Sequence, residues 1–224
     1  MFNEFCFIAQ IMIITASTIA LAVIGKEALV AYVGLLFVMA NIFVIKQINL
    51  FGWTVTSSDA FIIGVGLSLN ILQEFWGKES ARKAIIISFA LSLIYLIIGA
   101  CINAYIPSSE DEAHAHLAFI MTHTTRIIIA SFISYLVTQA IDIQVYGLLK
   151  KQTGGKYFVI RNYFALCLSQ LIDTILFSLL GLWGIVASIG DIILVSYSVK
   201  LFAIFCMSPF LMVAKKIIGS KKES

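Results

Sequence analysis

Two five-residue stretches hold most of the chemistry available to this chain: Thr138-Gln139-Ala140-Ile141-Asp142 and Ser169-Gln170-Leu171-Ile172-Asp173. Each lies inside a long apolar run that reads as a membrane-crossing helix. A carboxylate at such a depth costs about 2.5–3.5 kcal/mol on insertion scales and normally turns toward a bundle interior. The same Ser/Thr-Gln-x-Ile-Asp pattern on consecutive runs therefore predicts two walls of one polar pocket.

Spacing extends both walls. Ser131, Tyr135, Thr138, Gln139, Asp142 and Tyr146 recur at steps of three and four, which places them on one helical face. Gln170, Asp173, Thr174, Phe177 and Gly181 do the same on the next run, and Gly66, Asn70, Gln73, Glu74 and Gly77 form a third stripe. Lys200, with Ser196 and Tyr197 beside it, falls near the middle of the last run. An ionised carboxylate accepts two hydrogen bonds side by side, and a glutamine amide both donates and accepts. A guanine-type edge, with a ring N–H and an exocyclic amine beside a carbonyl, fits such a set: Asp or Glu takes the donors, and Gln, Asn or Lys serves the carbonyl. Tyr135, Tyr146 and Phe177 offer faces on which a flat heterocycle can stack. The spacing is equally compatible with a cation or a proton. A plainer reading also stands: membrane Gln and Asn act as interhelical ties worth about 1 kcal/mol, and Lys200 neutralises one aspartate. One lysine cannot balance two acids, which favours a small-molecule transport site.

The elements that must position these groups follow from composition. Of 224 residues, 61% are hydrophobic and 12% charged, and mean hydropathy is +1.02. Soluble domains carry about 25% charged residues, so the fold class expected is all-α: a polytopic transmembrane helical bundle forming one integral-membrane domain over residues 1–224. The net charge of +3 is small and scattered, which argues against nucleic acid as a partner. Seven apolar runs stand out, at about Phe5–Ile24, Ala28–Ile45, Ala60–Trp76, Ala84–Tyr105, Arg126–Leu149, Asn162–Leu182 and Asp191–Ala214. The third is short for the ~17–25 residues that a crossing needs and reads either as a tilted span or as a broken, re-entrant one. Gly52 to Asp59 read as turns, and Pro107 to His123 as a polar loop. Arg126 and Arg161 open their runs as snorkelling anchors, and Trp53, Trp76 and Trp183 mark run ends.

Lys78, Arg82 and Lys83 form one basic loop, Lys150, Lys151, Lys156 and Arg161 another, and Lys215, Lys216, Lys221 and Lys222 a basic tail, whereas Glu110-Asp111-Glu112 make their loop acidic. Short basic loops stay cytoplasmic, so the carboxy terminus is expected inside. The amino terminus lies outside if the third run crosses, and inside if it re-enters. On antiparallel runs with a rise of about 1.5 Å per residue, Gln139 and Asp142 lie roughly 10–15 Å from the cytoplasmic end and Gln170 and Asp173 roughly 13–18 Å. One layer can hold all four. The four cysteines show no ligand spacing and are expected to pack in the core. His114, His116 and His123 share one loop without a cysteine to complete a metal site, so neither metal nor cofactor is expected. No nucleophile–base arrangement stands at the pocket, so an enzyme is not expected.

Asn70-Ile-Leu-Gln-Glu74-Phe-Trp-Gly77 with Ala81-Arg82-Lys83, then Arg126…Ala130-Ser131…Gln139-x-x-Asp142, then Arg161…Ser169-Gln170-x-x-Asp173-Thr174…Phe177, then Tyr197-x-x-Lys200 with Pro209, come in an order that resembles the queuosine precursor transporter family of the vitamin uptake transporter group. The resemblance runs from about Tyr32 to the end. It implies a six-helix core at about 28–214, with residues 5–24 as an additional amino-terminal helix. It also implies import of a 7-deazaguanine base or queuine across the cytoplasmic membrane, with Asn41, Asn70, Glu74, Gln139, Asp142, Gln170, Asp173 and Lys200 as substrate-binding residues. Asn70 stands where the family usually has Asp, a departure that bears on which base is carried. The core also looks like the binding subunits of energy-coupling-factor importers. That leaves open an ion-coupled carrier or such a subunit for another vitamin-like solute, and equally a homo-oligomer or a separate energising partner.

Overall fold

The computed structural model of the chain describes residues 2–152 and 158–202. The side chains of Glu74, Gln139, Asp142, Tyr146, Lys150, Lys151 and Arg161 lie outside the described residues, as do Lys156, Cys206, Pro209 and the tail lysines. The described helices are α1 (Phe2–Ile24), α2 (Lys26–Phe43), α3 (Asp59–Trp76), α4 (Lys78–Asn103), α5 (His114–Gln152), α6 (Phe158–Phe177) and α7, which covers residues 189–202. A π-helical turn, Ser178–Leu182, extends α6. Among the described residues, four stretches are long and apolar enough to cross a membrane: α1, α2, α4 and His114–Thr138 of α5. Asp59–Gln73 and Cys167–Leu182 are apolar but shorter.

α4 shows which solvent the surface meets. It buries Ser80, Ala81, Ala84, Ser88, Ser92 and Gly99 while exposing Ile86, Leu93, Ile94, Ile97 and Ile98. In water that face would be inverted. In lipid, small residues belong between helices, where they let backbones approach. The buried hydroxyls are satisfied locally: Ser88 Oγ donates to Ala84 O (2.7 Å) and Ser92 Oγ to Ser88 O (2.9 Å). The same logic overturns the expectation for two cysteines, since Cys6 and Cys101 are exposed rather than packed in the core, and Cys167 is half-buried.

α3 is one unbroken helix of 18 residues, about 27 Å long, rather than a broken re-entrant segment. Ile14 of α1 lies against Gly64, and one turn further on Thr18 Oγ1 meets Ser68 Oγ at 3.4 Å, so α1 and α3 run parallel. α2 runs back between them: its start (Leu29, Val33) packs with Ala22, Leu67 and Leu72, and its end (Leu36, Ala40) with Phe7, Ala60 and Phe61. Single glycines make the reversals. Gly25 joins α1 to α2 and Gly77 joins α3 to α4, each with positive φ (152° and 84°).

Two expectations fail at the helix ends. Between α2 and α3, where only turns were expected, β1 (Gln47–Leu50) and β2 (Trp53–Thr56) form an antiparallel hairpin with Leu50 opposite Trp53. Its two-residue turn, Phe51-Gly52, holds φ at 50° and 86°, the double-positive geometry that matches the twist of a tight hairpin. The tip is tied to α1: Phe51 N–H donates to Glu4 Oε1 (3.1 Å), and Asn3 Nδ2 donates to Asn49 O (3.0 Å). The polar loop, in turn, ends at residue 113 rather than at His123. Asp111 Oδ1 accepts from the N–H groups of Ala113 (2.9 Å) and His114 (3.1 Å), and this cap starts α5 a dozen residues earlier than the apolar pattern implies.

Candidate functional site

The residues expected to line a pocket are distributed over five helices. Asp173 on α6 and Lys200 on α7 meet directly: Lys200 Nζ donates to Asp173 Oδ2 at 2.7 Å, with 14% of the lysine and 27% of the aspartate side chain exposed. Both are thus partly accessible. One turn before Lys200, Tyr197 crosses to α6, its hydroxyl donating to Cys167 O (3.3 Å). Gln170, one turn before Asp173, is half-buried, and its carbonyl accepts from Thr174 Oγ1 (2.7 Å).

Asn41 is buried on α2 and fully engaged. Its Nδ2 donates to Phe37 O (2.8 Å) and its Oδ1 accepts from Ser131 Oγ (2.8 Å), which ties α2 to α5. In this conformation it is an interhelical tie. Asn70 is half-buried on α3, and Gln73 beside it is exposed. Glu74 lies near the end of α3, and Gln139 and Asp142 lie on α5 just past Thr138; their side chains are outside the described residues. Tyr135 packs on Phe89 with ring centroids 5.3 Å apart. Ser134 and Thr138, one turn apart on α5, are both buried, and neither hydroxyl has a hydrogen-bond partner among the described residues.

Arg126 does not open its helix. It stands about 18 Å inside α5, and its Nε donates to Leu180 O (2.8 Å) in the π-helical turn, close to where Gly181 packs on Ala130. A groove of about 350 Å³ runs there between Arg126, Ile129, Ile133 and Leu180, and neither Asp173 nor Lys200 lines it.

One acid was missed by sequence reasoning. Asp59, the first residue of α3, is only 5% exposed and accepts from Ser196 Oγ of α7 at 3.0 Å. Lys200 stands one turn further along α7. Thr56 and Ser58 bury a linked pair of hydroxyls just before it (Oγ1 to Oγ, 3.0 Å). Three helices thus meet here: Lys200 and Ser196 of α7 hold Asp173 of α6 and Asp59 of α3. With Asp59, Asp173 and Lys200 all ionised, the cluster holds two carboxylates and one ammonium. Among the described residues no group of three or more His, Cys, Asp and Glu side chains is placed to hold a metal ion.

Comparison with known proteins adds a family. Residues 60–214 match the family model described as putative vitamin uptake transporter. Over 203 residues, covering 89% of each chain, the sequence is 28% identical to the probable queuosine precursor transporter of Bacillus subtilis (strain 168). No solved structure matches.

Proposed function

This chain belongs to the putative vitamin uptake transporter family and is a multi-pass membrane transporter; from that premise we propose that it imports a queuosine precursor, a 7-deazaguanine base or queuine, across the cytoplasmic membrane. The observation that carries the reading is the Asp173–Lys200 pair, partly exposed between α6 and α7. A base entering there exchanges one hydrogen bond for three. Its ring N–H and exocyclic amine donate to the two oxygens of Asp173, and its carbonyl accepts from the Lys200 ammonium. The pair itself is complementary to the guanine-type edge, and charge-assisted hydrogen bonds are about twice as strong as neutral ones. The buried hydroxyls of Ser134 and Thr138 offer further polar contacts, and Gln139, Asp142, Gln170, Asn70 and Glu74 complete the proposed lining, with Asn41 as a tie that opens if α2 and α5 part. The name of the Bacillus relative supports a queuosine precursor as cargo.

Sidedness follows from the basic loops. With Lys78, Arg82 and Lys83 cytoplasmic, α3 runs inward, and α1, parallel to it, starts outside along with the hairpin and the acidic loop. The carboxy terminus is then cytoplasmic.

The test is queuosine content of tRNA in bacteria that can neither make nor import its precursors. Expression of this chain should restore it when a deazaguanine is supplied, and Asp173→Ala or Asp142→Ala should abolish the rescue. Full rescue by both variants would remove these residues from the site. A second reading, a carrier or binding subunit for another vitamin-like solute, draws on the broader family description. Competition between a labelled deazaguanine and unlabelled vitamins separates the two.

A further inference from the structure

We propose that Asp59 carries the proton that drives transport, with Lys200 acting as a switch between Asp59 and Asp173. The proposal rests on the transport reading above and goes beyond it in naming the energy source.

The geometry that leads here is two acids on different helices held by neighbouring turns of α7, Asp173 by Lys200 and Asp59 by Ser196. Asp59 is buried and accepts from the Ser196 hydroxyl at 3.0 Å, one turn from Lys200 on α7. Lys200 holds Asp173 at 2.7 Å. Ser196 and Lys200 are one turn apart on one face of α7, and reorientation of the lysine from Asp173 toward Asp59 is the movement the proposal requires. Among the described residues, Lys46 at the foot of the hairpin is exposed, with its carbonyl accepting from Ser57 N–H (2.9 Å) two residues before Asp59. α1 carries only Glu4, which is engaged by the N–H of Phe51 at the hairpin tip. α2 has charges only at Lys26 and Glu27, at its far end. Glu74 of α3 and Lys78, Glu79, Arg82 and Lys83 of α4 lie at the opposite end of α3. Asp191 of α7 sits at the start of its helix, with its N–H on Ser188 Oγ.

The cycle balances as follows. A base seated between Asp173 and Lys200 holds the ammonium on that side through its carbonyl. Asp59 then has no cation to itself and takes a proton from the outside medium, becoming a neutral acid that still accepts from Ser196. After the site turns inward, Asp59 releases that proton to the cytoplasm, and its carboxylate draws the ammonium away from the base, which leaves. Lys200 keeps its own protons throughout. One base and one proton move together, so each pH unit of gradient sustains up to about tenfold accumulation.

The experiment uses the full chain in proteoliposomes with a labelled deazaguanine base. Two readouts are taken: counterflow without a gradient, and accumulation driven by an acidic exterior, with an internal pH dye reporting proton entry. Wild type should show both, with acidification of the lumen during uptake. Asp59→Asn should lose both proton entry and accumulation above equilibrium. Undiminished accumulation by D59N overturns the proposal. So does wild-type uptake without proton entry, which is decisive even if D59N proves inactive. Absence of counterflow in wild type defeats the transport reading itself, and this inference with it.

Discussion

Asp173 and Lys200 lie 27 residues apart in sequence and 2.7 Å apart in space. Removing one member of a buried pair strands the other, at a cost of up to about 3–5 kcal/mol, and less here because both side chains are partly exposed. Lys200→Met is therefore expected to lower the apparent melting temperature and to abolish transport, while Lys200→Met with Asp173→Asn regains most of the stability and none of the transport. Thermal unfolding in detergent and uptake assays on the three proteins read this directly. Equal loss of stability in single and double variants would contradict it. At this scale polarity against an apolar background singles out both Ser/Thr-Gln-x-Ile-Asp copies and Lys200, and of these the structure pairs Asp173 with Lys200. Asp59 is not singled out, because Thr56-Ser57-Ser58-Asp59 has the composition of a solvated turn. Only the packing of the hairpin and α7 around it reveals a buried acid. Cys6 and Cys101 misled for a related reason, since a preference for burial learned in water does not separate core from lipid.

At the level of elements, the apolar runs located the helices well and their ends poorly. α5 was cut short because His114, His116, Thr122 and His123 look like loop, yet Asp111 caps the helix ahead of them. The hairpin was hidden because Phe51 is an unusual residue for a position at φ 50°. That mismatch is testable. Phe51→Asn supplies a residue suited to the left-handed region in front of Gly52 and should stabilise by about 1 kcal/mol, which in a chain of this size raises the melting temperature by roughly 2–4 °C. Gly64 makes the opposite case. A Cβ there would collide with Ile14 and press on Leu36, so Gly64→Val should force α1 off α3 at a cost of about 1–3 kcal/mol. An unchanged melting temperature would show that the α1–α3 contact is looser than described.

For the molecule as a whole, the parallel course of α1 and α3 ties the side of the amino terminus to the cytoplasmic placement proposed for Lys78, Arg82 and Lys83. Hydropathy could not say whether residues 60–76 cross, and the side of the amino terminus depended on the answer. An unbroken α3 with its start beside the start of α1 puts both on one face of the membrane. In a version with the native cysteines replaced, a cysteine at Asn3 or Ser109 should react with a membrane-impermeant maleimide on intact cells, and one at Glu79 only after permeabilisation. Labelling of position 3 only after permeabilisation would reverse the orientation of the first helix. α1 also lies outside the family match at residues 60–214, yet it packs against α2, α3 and the hairpin, which makes it part of the bundle.

The most direct check of the central claim is tRNA queuosine in precursor-starved cells that express this chain, with membrane insertion of each variant verified. Wild type should restore the modified base from external deazaguanine, and Asp173→Ala should restore none. A correctly inserted wild type that restores nothing, or an Asp173→Ala variant that restores as much, would contradict a deazaguanine site between α6 and α7.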